Sequence, residues 1–141
     1  MDSIFKKQLE AVMPKSLDDI IRTNRDKLRA YVSADSELDV LRKPIAVHPV
    51  KAEISGWAFV TLFAVETGLP LIYLTGYNDT AQCSWMTSCV TAIDGCLVET
   101  KNGSLYRLVG HATEALDLLH ICATLNSWGV GQMFGIPNIH Y

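Results

Sequence analysis

The sequence lacks a long hydrophobic run. No stretch of this 141-residue chain approaches the ~20 consecutive apolar residues that a membrane-spanning helix needs. Lys6 and Lys7 are followed by Gln8 and Glu10 rather than by the apolar core of a secretory signal. We therefore expect a cytoplasmic protein with no membrane partner. Because 49% of the residues are hydrophobic and 19% are charged, the chain is predicted to fold as one domain, residues 1–141.

Concentrated positive charge is also missing. Twelve Lys and Arg residues stand against 15 Asp and Glu residues, for a net charge of −3. Binding to duplex nucleic acid depends on clustered cations, so the composition excludes that partner. Residues 54–141 hold only two of the basic residues and six of the acidic ones. A surface so poor in charge is predicted to be covered by the N-terminal segment or by a second subunit.

The cysteines and histidines show no spacing typical of a metal site or a catalytic motif, so no metal and no cofactor is expected. We predict reduced and mostly buried thiols, with Cys83 the most reactive because it lies in a polar loop. His111 and His120, nine residues apart, would lie on opposite faces of one helix. A small cysteine- or histidine-dependent hydrolase is an alternative, and it needs Cys83 and a histidine brought together in space.

Residues 1–43 carry helical patterns. A first run of apolar residues at helical spacing ends at Pro14, because proline lacks the N–H that a helix interior needs. A capping box at Ser16 predicts a second helix, whose apolar face extends to Val32. A short helical turn follows and ends before Pro44. The sequence thus predicts a helical N-terminal segment.

Residues 45–109 show the alternation and turn residues of an antiparallel β-meander of about five strands. The apolar run Trp57–Val65 predicts a strand, although the nearby Gly68 is also compatible with a helix end, which leaves a buried helix as an alternative. A second strand is predicted over Leu71–Thr75. The polar segment that follows it predicts a surface loop, which places the candidate interaction residues Tyr77 and Asp79 where binding residues often lie.

Two tight turns divide the second half of the meander. Asp94-Gly95 and Asn102-Gly103 each stand between β-rich runs, and both dipeptides favour two-residue type I′ turns. With two-residue turns, Tyr106 pairs with Glu99 and lies on the opposite face of the sheet from Val98.

After Gly110 the apolar spacing becomes helical, which predicts a C-terminal helix over 111–127 packed on the sheet. The tail 128–141 is apolar, Gly-rich and uncharged, so we expect it to be docked rather than free. It either folds back on its own sheet or forms the contact of a homodimer or larger oligomer. The candidate contact residues are Trp128, Met133, Phe134 and Ile136.

A group of strand and turn residues carries a family resemblance. These residues are Gly56–Leu62, Gly68–Tyr73, Thr87-Ser88 and Asp94–Thr100, with Asn102, Tyr106, Leu108 and Gly110. Over roughly residues 56–125 the chain resembles small uncharacterised proteins encoded by bacteriophages and prophages. The resemblance implies a meander followed by a helix and no catalytic residue. It also implies a class of proteins that bind host machinery, among them inhibitors of host defence such as anti-CRISPR proteins.

The predicted fold class is α+β, with two N-terminal helices, an antiparallel meander with two tight hairpins, and a C-terminal helix packed on the sheet. The expected function is non-enzymatic binding of a host protein by a protein of a mobile genetic element. A domain that binds a small ligand in a pocket between sheet and helix is a further alternative.

Overall fold

The computed structural model describes residues 28–64 and 68–127. The predictions for the first helix, for most of the second, and for the tail contacts Trp128, Met133, Phe134 and Ile136 lie outside these residues. Within them the chain forms mostly strands. In chain order the elements are β1 (Leu28–Val32), α1 (Asp35–Leu41), β2 (Ala52–Ala64), β3 (Leu69–Asn78), β4 (Cys83–Asp94), β5 (Leu97–Thr100), β6 (Leu105–Leu108) and α2 (Leu118–Ser127).

Strands β2 to β6 form a closed five-stranded barrel. Each strand pairs antiparallel with the next, and the first and last, β2 and β6, pair parallel. The parallel closure runs from Ala52 opposite Tyr106 to Ile54 opposite Leu108. It follows from the number of strands, because four successive hairpins leave the fifth strand pointing in the direction of the first. Closure pairs edges that an open sheet would expose.

The predicted α+β fold class is therefore wrong. An open meander covered by a helix was expected, whereas the sheet closes on itself and the described helices are short. Residues 28–32 were predicted as the end of a helix but form β1, which pairs antiparallel with β2. This segment, Leu-Arg-Ala-Tyr-Val, also fits an alternating pattern, and pairing with a neighbouring strand decided between the two. The predicted helix over 111–127 begins only at Leu118.

Several local predictions agree with the structure. The run that begins at Trp57 belongs to strand β2, so the alternative of a buried helix is wrong. The predicted helical turn before Pro44 is α1. Five consecutive strands lie between residues 52 and 108, as the alternation predicted. Neither α1 nor α2, the helices of the described residues, is long and apolar enough to cross a membrane.

Both predicted type I′ turns are wrong in type. Strands β4 and β5 pair through Asp94 and Leu97, so that Gly95 and Cys96 form the two-residue loop instead of the predicted Asp94 and Gly95. Only Gly95 has a positive φ, of 59°, which is typical of a type II′ turn. The next loop has one residue more. The N–H of Gly103 bonds to the carbonyl of Thr100 at 2.8 Å, and Gly103 then adopts a φ of 81°.

The extra residue in the β5–β6 loop shifts the register of β6. Val98 pairs with Tyr106, where two-residue turns had predicted Glu99 as the partner. Because side chains alternate along a strand, a slip of one residue moves every side chain to the other face. Tyr106 therefore shares a face with Val98, and both point into the barrel. The predicted face of Tyr106 is wrong for this reason.

We expect Gly103→Val to destabilise the protein by about 1–2 kcal/mol. A β-branched side chain is disfavoured at the positive φ of this position. No atom lies within 4 Å of where a Cβ would stand, so the cost comes from the backbone alone. Chemical denaturation measures the loss. Unchanged stability would show that Gly103 does not hold this conformation in solution.

Buried apolar side chains fill the barrel. Ile54, Leu74 and Val98 are fully buried. The whole cluster consists of Ala52, Ile54, Phe59, Ile72, Leu74, Val90, Ile93, Val98 and Tyr106. Cys96 is exposed in its turn, so its predicted burial is wrong, whereas Cys83 is exposed as expected and Cys89 is half-buried.

Candidate binding cleft

Strand β2 is paired differently along its two edges. One edge pairs with β3 over nearly its whole length. The other edge is shared, because β6 pairs with residues 52–54 and β1 pairs with residues 60–64. Among the described strands, none pairs with residues 55–59 on the shared edge. A gap in the sheet therefore opens between the end of β1 and the end of β6.

The middle of β2 is irregular at this gap. The register between β2 and β3 shifts between Ser55 and Ala58, and Gly56 adopts a φ of 51°. Loop residues satisfy the carbonyl groups that face the gap. The N–H of Thr113 bonds to the carbonyl of Trp57 at 2.8 Å, and the N–H of Ser33 bonds to that of Phe59 at 2.9 Å. The gap is therefore a stable feature of the fold.

A cleft of about 320 Å³ lies over this gap, and we call it the α1 cleft. Trp57 and Phe59 form its floor, with ring centroids 5.8 Å apart in an edge-to-face arrangement. The indole N–H of Trp57 donates to the carbonyl of Gly110 at 3.2 Å, which fixes the ring. The remaining lining residues are Val32, Ser33, Asp35, Leu38, Arg42, Ala58, Ile93, Gly95, Leu108, Ala112 and Thr113.

Helix α1 covers one side of the cleft and is held there mainly by Glu37. None of its residues is fully buried. The Glu37 carboxylate accepts hydrogen bonds from the Tyr31 hydroxyl at 2.8 Å, from the Thr61 hydroxyl at 3.2 Å and from the Ala34 N–H at 3.0 Å. Glu37 thereby joins α1 to β1 and β2. Hydrogen bonds to a charged group are stronger than neutral ones, so this carboxylate positions the helix.

Tyr31 should titrate above its ordinary pKa of 10.0. Burial raises the pKa of Tyr31, and the hydrogen bond to Glu37 and the negative charge of Glu37 raise it further. The neutral phenol is thus favoured in the folded state. Its contribution to stability is complete below pH 10 and is lost as the pH rises through the raised pKa. We expect the free energy of unfolding, measured with denaturant, to fall more steeply above pH 10 for wild type than for Tyr31→Phe. Equal slopes against pH would contradict the contact between Tyr31 and Glu37.

Two charged residues that line the cleft stand at opposite ends of α1. Asp35 is the first residue of α1, and Arg42 follows its last residue. The Arg42 Nε donates to Asp39 Oδ1 at 3.0 Å. The backbone of Arg42 also forms a bridge to Ile93 of β4. Arg42 is therefore anchored through both its backbone and its side chain beside an apolar cleft.

A smaller cleft lies where α2 joins the barrel. Asp117 caps α2, because its Oδ1 accepts the N–H of His120 at 3.1 Å while its Oδ2 accepts the Ser84 hydroxyl at 3.0 Å. The space beside it, about 250 Å³, is lined mostly by glycine, threonine and other small or polar residues. These contacts serve to fix the helix on β4.

The predicted interaction residues do not line the α1 cleft. Tyr77 was predicted to lie in a loop but belongs to strand β3, where it is 44% exposed, whereas Asp79 stands in the turn after it. Asp79 accepts a hydrogen bond from the Ser55 hydroxyl at 2.8 Å, which is a structural role. The predicted homodimer stays a prediction. Sequence reasoning missed the α1 cleft, and Gly56 beside Trp57 was its one local signal, since glycine within a strand often marks an irregularity.

The contact that the hydrolase alternative requires is not seen among the described side chains. Cys83 forms no hydrogen bond with a histidine there. His48 bonds instead to Glu99, with Nε2 and Oε2 2.9 Å apart. The same residues contain no group of three or more His, Cys, Asp or Glu side chains that could hold a metal ion.

The chain matches no protein-family model, no curated protein and no solved structure. The resemblance to phage and prophage proteins therefore stays a hypothesis.

Proposed function

We propose that this chain is a non-enzymatic protein-binding module that holds an apolar side chain of its partner in the α1 cleft. The observation that carries the proposal is the aromatic floor of Trp57 and Phe59 in a cleft of about 320 Å³. This volume is at the lower end of the range for ligand sites. It suits one large side chain better than an extended molecule.

The surroundings of the cleft support a protein partner. Val32 lines the cleft and is 57% exposed. Exposed apolar residues beside an open cleft are typical of a surface that another protein covers. A deep pocket for a free metabolite would instead enclose most of its ligand.

The source of the partner is proposed from the resemblance of residues 56–125 to phage and prophage proteins. Such proteins often act by occupying host machinery. We therefore propose a host protein as the partner, bound without any chemical step.

Two alanines in one loop offer a matched test. Ala112 lines the α1 cleft, whereas Ala115 lines the smaller cleft, and both are exposed. Ala112→Trp should fill the α1 cleft, while Ala115→Trp adds the same bulk elsewhere. We expect the neutral probe N-acetyl-phenylalanine amide to shift the amide NMR signals of cleft residues in wild type and in Ala115→Trp, and to lose this effect in Ala112→Trp.

The two variants should affect binding of a host protein captured by wild type in the same way as they affect binding of the probe. The host protein should be retained by Ala115→Trp and lost with Ala112→Trp. If both variants changed binding of the probe equally, the α1 cleft would not be the binding site.

A small-ligand binder is the second candidate, favoured by the concave shape and by the polar side chains of Ser33, Arg42 and Thr113 among apolar ones. Mass spectrometry of the denatured protein separates the two. A small molecule released in stoichiometric amount would favour this candidate over a protein partner.

A further inference from the structure

Among the described residues that line the α1 cleft, Arg42 is the only cation. Its guanidinium carries five N–H donors in a planar fork. Among the described residues, the hydrogen bond of its side chain is the one from Nε to Asp39. The two terminal nitrogens are the part of the fork that binds carboxylates in a bidentate manner.

The backbone of Arg42 is held in place before any ligand binds. Its backbone N–H bonds to the carbonyl of Asp39, and the residue forms a bridge to Ile93. The next residue, Lys43, donates its N–H to the Ile93 carbonyl at 3.1 Å. Because the backbone and Nε of Arg42 already have partners, the side chain loses less conformational entropy when it binds an anion.

The charges along the cleft give a bound group one orientation. Asp35 and Arg42 are seven residues apart along α1, which corresponds to roughly 10 Å at the helical rise per residue. Asp35 repels a carboxylate, whereas Arg42, although its Nε pairs with Asp39, presents its two terminal nitrogens to one. Between them lies the apolar floor of Trp57 and Phe59. A complementary group therefore has an apolar side chain with a carboxylate beside it.

Building on the proposed function, we infer that the α1 cleft recognises the C-terminus of a partner chain whose last residue is large and apolar. Its side chain packs on Trp57 and Phe59, and its terminal carboxylate binds the Arg42 guanidinium. Within a polypeptide, only the C-terminal residue carries both groups on the same Cα. An internal apolar residue presents a neutral amide at that place.

Three acetylated pentapeptides test this inference by NMR titration of the full chain. The first is four glycines followed by phenylalanine with a free carboxylate, and the second is its C-terminal amide. The third begins with phenylalanine and ends in glycine with a free carboxylate, so that it has the same composition and charge as the first but separates the two groups. We expect the first to bind about fivefold more tightly than the others, as suits an ion pair with a half-exposed arginine.

Arg42→Gln should remove this preference, so that the free-acid and amide forms of the peptide bind equally. Arg107→Gln is the matched control, since Arg107 is exposed on β6 beside Glu53 and outside the cleft. It should keep the preference. Equal binding of all three peptides at the cleft would overturn the inference and leave the proposed function intact. Failure of all three to bind, the amide included, would overturn both.

Discussion

Tyr106→Ala is expected to destabilise the protein by about 3–5 kcal/mol, the range for removing a buried aromatic side chain. Tyr106 is 3% exposed and belongs to the cluster that fills the barrel. Its hydroxyl accepts a hydrogen bond from the Trp85 indole at 3.3 Å, and Lys51 Nζ lies 6.0 Å from the ring centroid. Since a domain is stable by only about 5–15 kcal/mol, this variant should be close to unfolding.

Two variants serve as controls for this prediction. Tyr106→Phe keeps the ring and should cost only about 1 kcal/mol for the lost hydrogen bond. Arg107→Ala changes the next residue of β6, whose side chain is half-exposed and 3.7 Å from Glu53, and should change stability by at most about 0.5 kcal/mol. Chemical denaturation gives all three values. A larger loss for Arg107→Ala than for Tyr106→Ala would mean that β6 has the opposite register.

This register is where sequence reasoning and the structure separate most clearly. The strands themselves were predictable, because alternation and β-rich composition are local properties. The turn between β5 and β6 was not, since Asn102-Gly103 fits both a two-residue loop and the observed three-residue loop. One residue of loop length decides whether Tyr106 faces the barrel or the outside.

Closure of the barrel was unpredictable for a different reason. It depends on pairing between β2 and β6, which are separated by some fifty residues. Alternation reports which residues of a strand share a face and says nothing of which strand lies beside it. The same limit explains β1. Leu28, Tyr31 and Val32 fit a helical face as well as a strand, and only the free edge of β2 favours the strand.

The candidate site was the least predictable feature. The α1 cleft exists because β1 and β6 each cover one part of the same edge of β2, which no local pattern encodes. Its floor residue Trp57 could be predicted as a strand residue but not as a lining residue. Glu37 could be predicted to lie on a helical turn. Its hydrogen bond to Tyr31 depends on a strand that the N-terminal pattern had assigned to a helix, and its bond to Thr61 depends on the pairing of that strand with β2.

Gly76→Ala is expected to cost about 3 kcal/mol, at the upper end of the usual range for overpacking. A Cβ at Gly76 would stand 2.7 Å from Ile54 Cγ2, 2.8 Å from the Ser55 carbonyl oxygen and 3.1 Å from the Trp57 Cα. Two of these atoms belong to the backbone of β2 and cannot move alone. The strands approach this closely at the register shift of β2, so the substitution should push β3 away from β2.

The matched control for this variant is Gly56→Ala, which lies at the same irregularity on β2. Gly56 has a φ of 51° and no atom within 4 Å of a Cβ position, so its cost is limited to backbone strain of about 1–2 kcal/mol. Denaturant unfolding should rank Gly76→Ala as the more damaging change. Because Gly76 packs directly behind Trp57, this variant should also weaken binding of N-acetyl-phenylalanine amide to the α1 cleft. If Gly76→Ala lost no more stability than Gly56→Ala, β2 and β3 would not approach so closely. Gly76 would then not support Trp57 in the floor of the cleft.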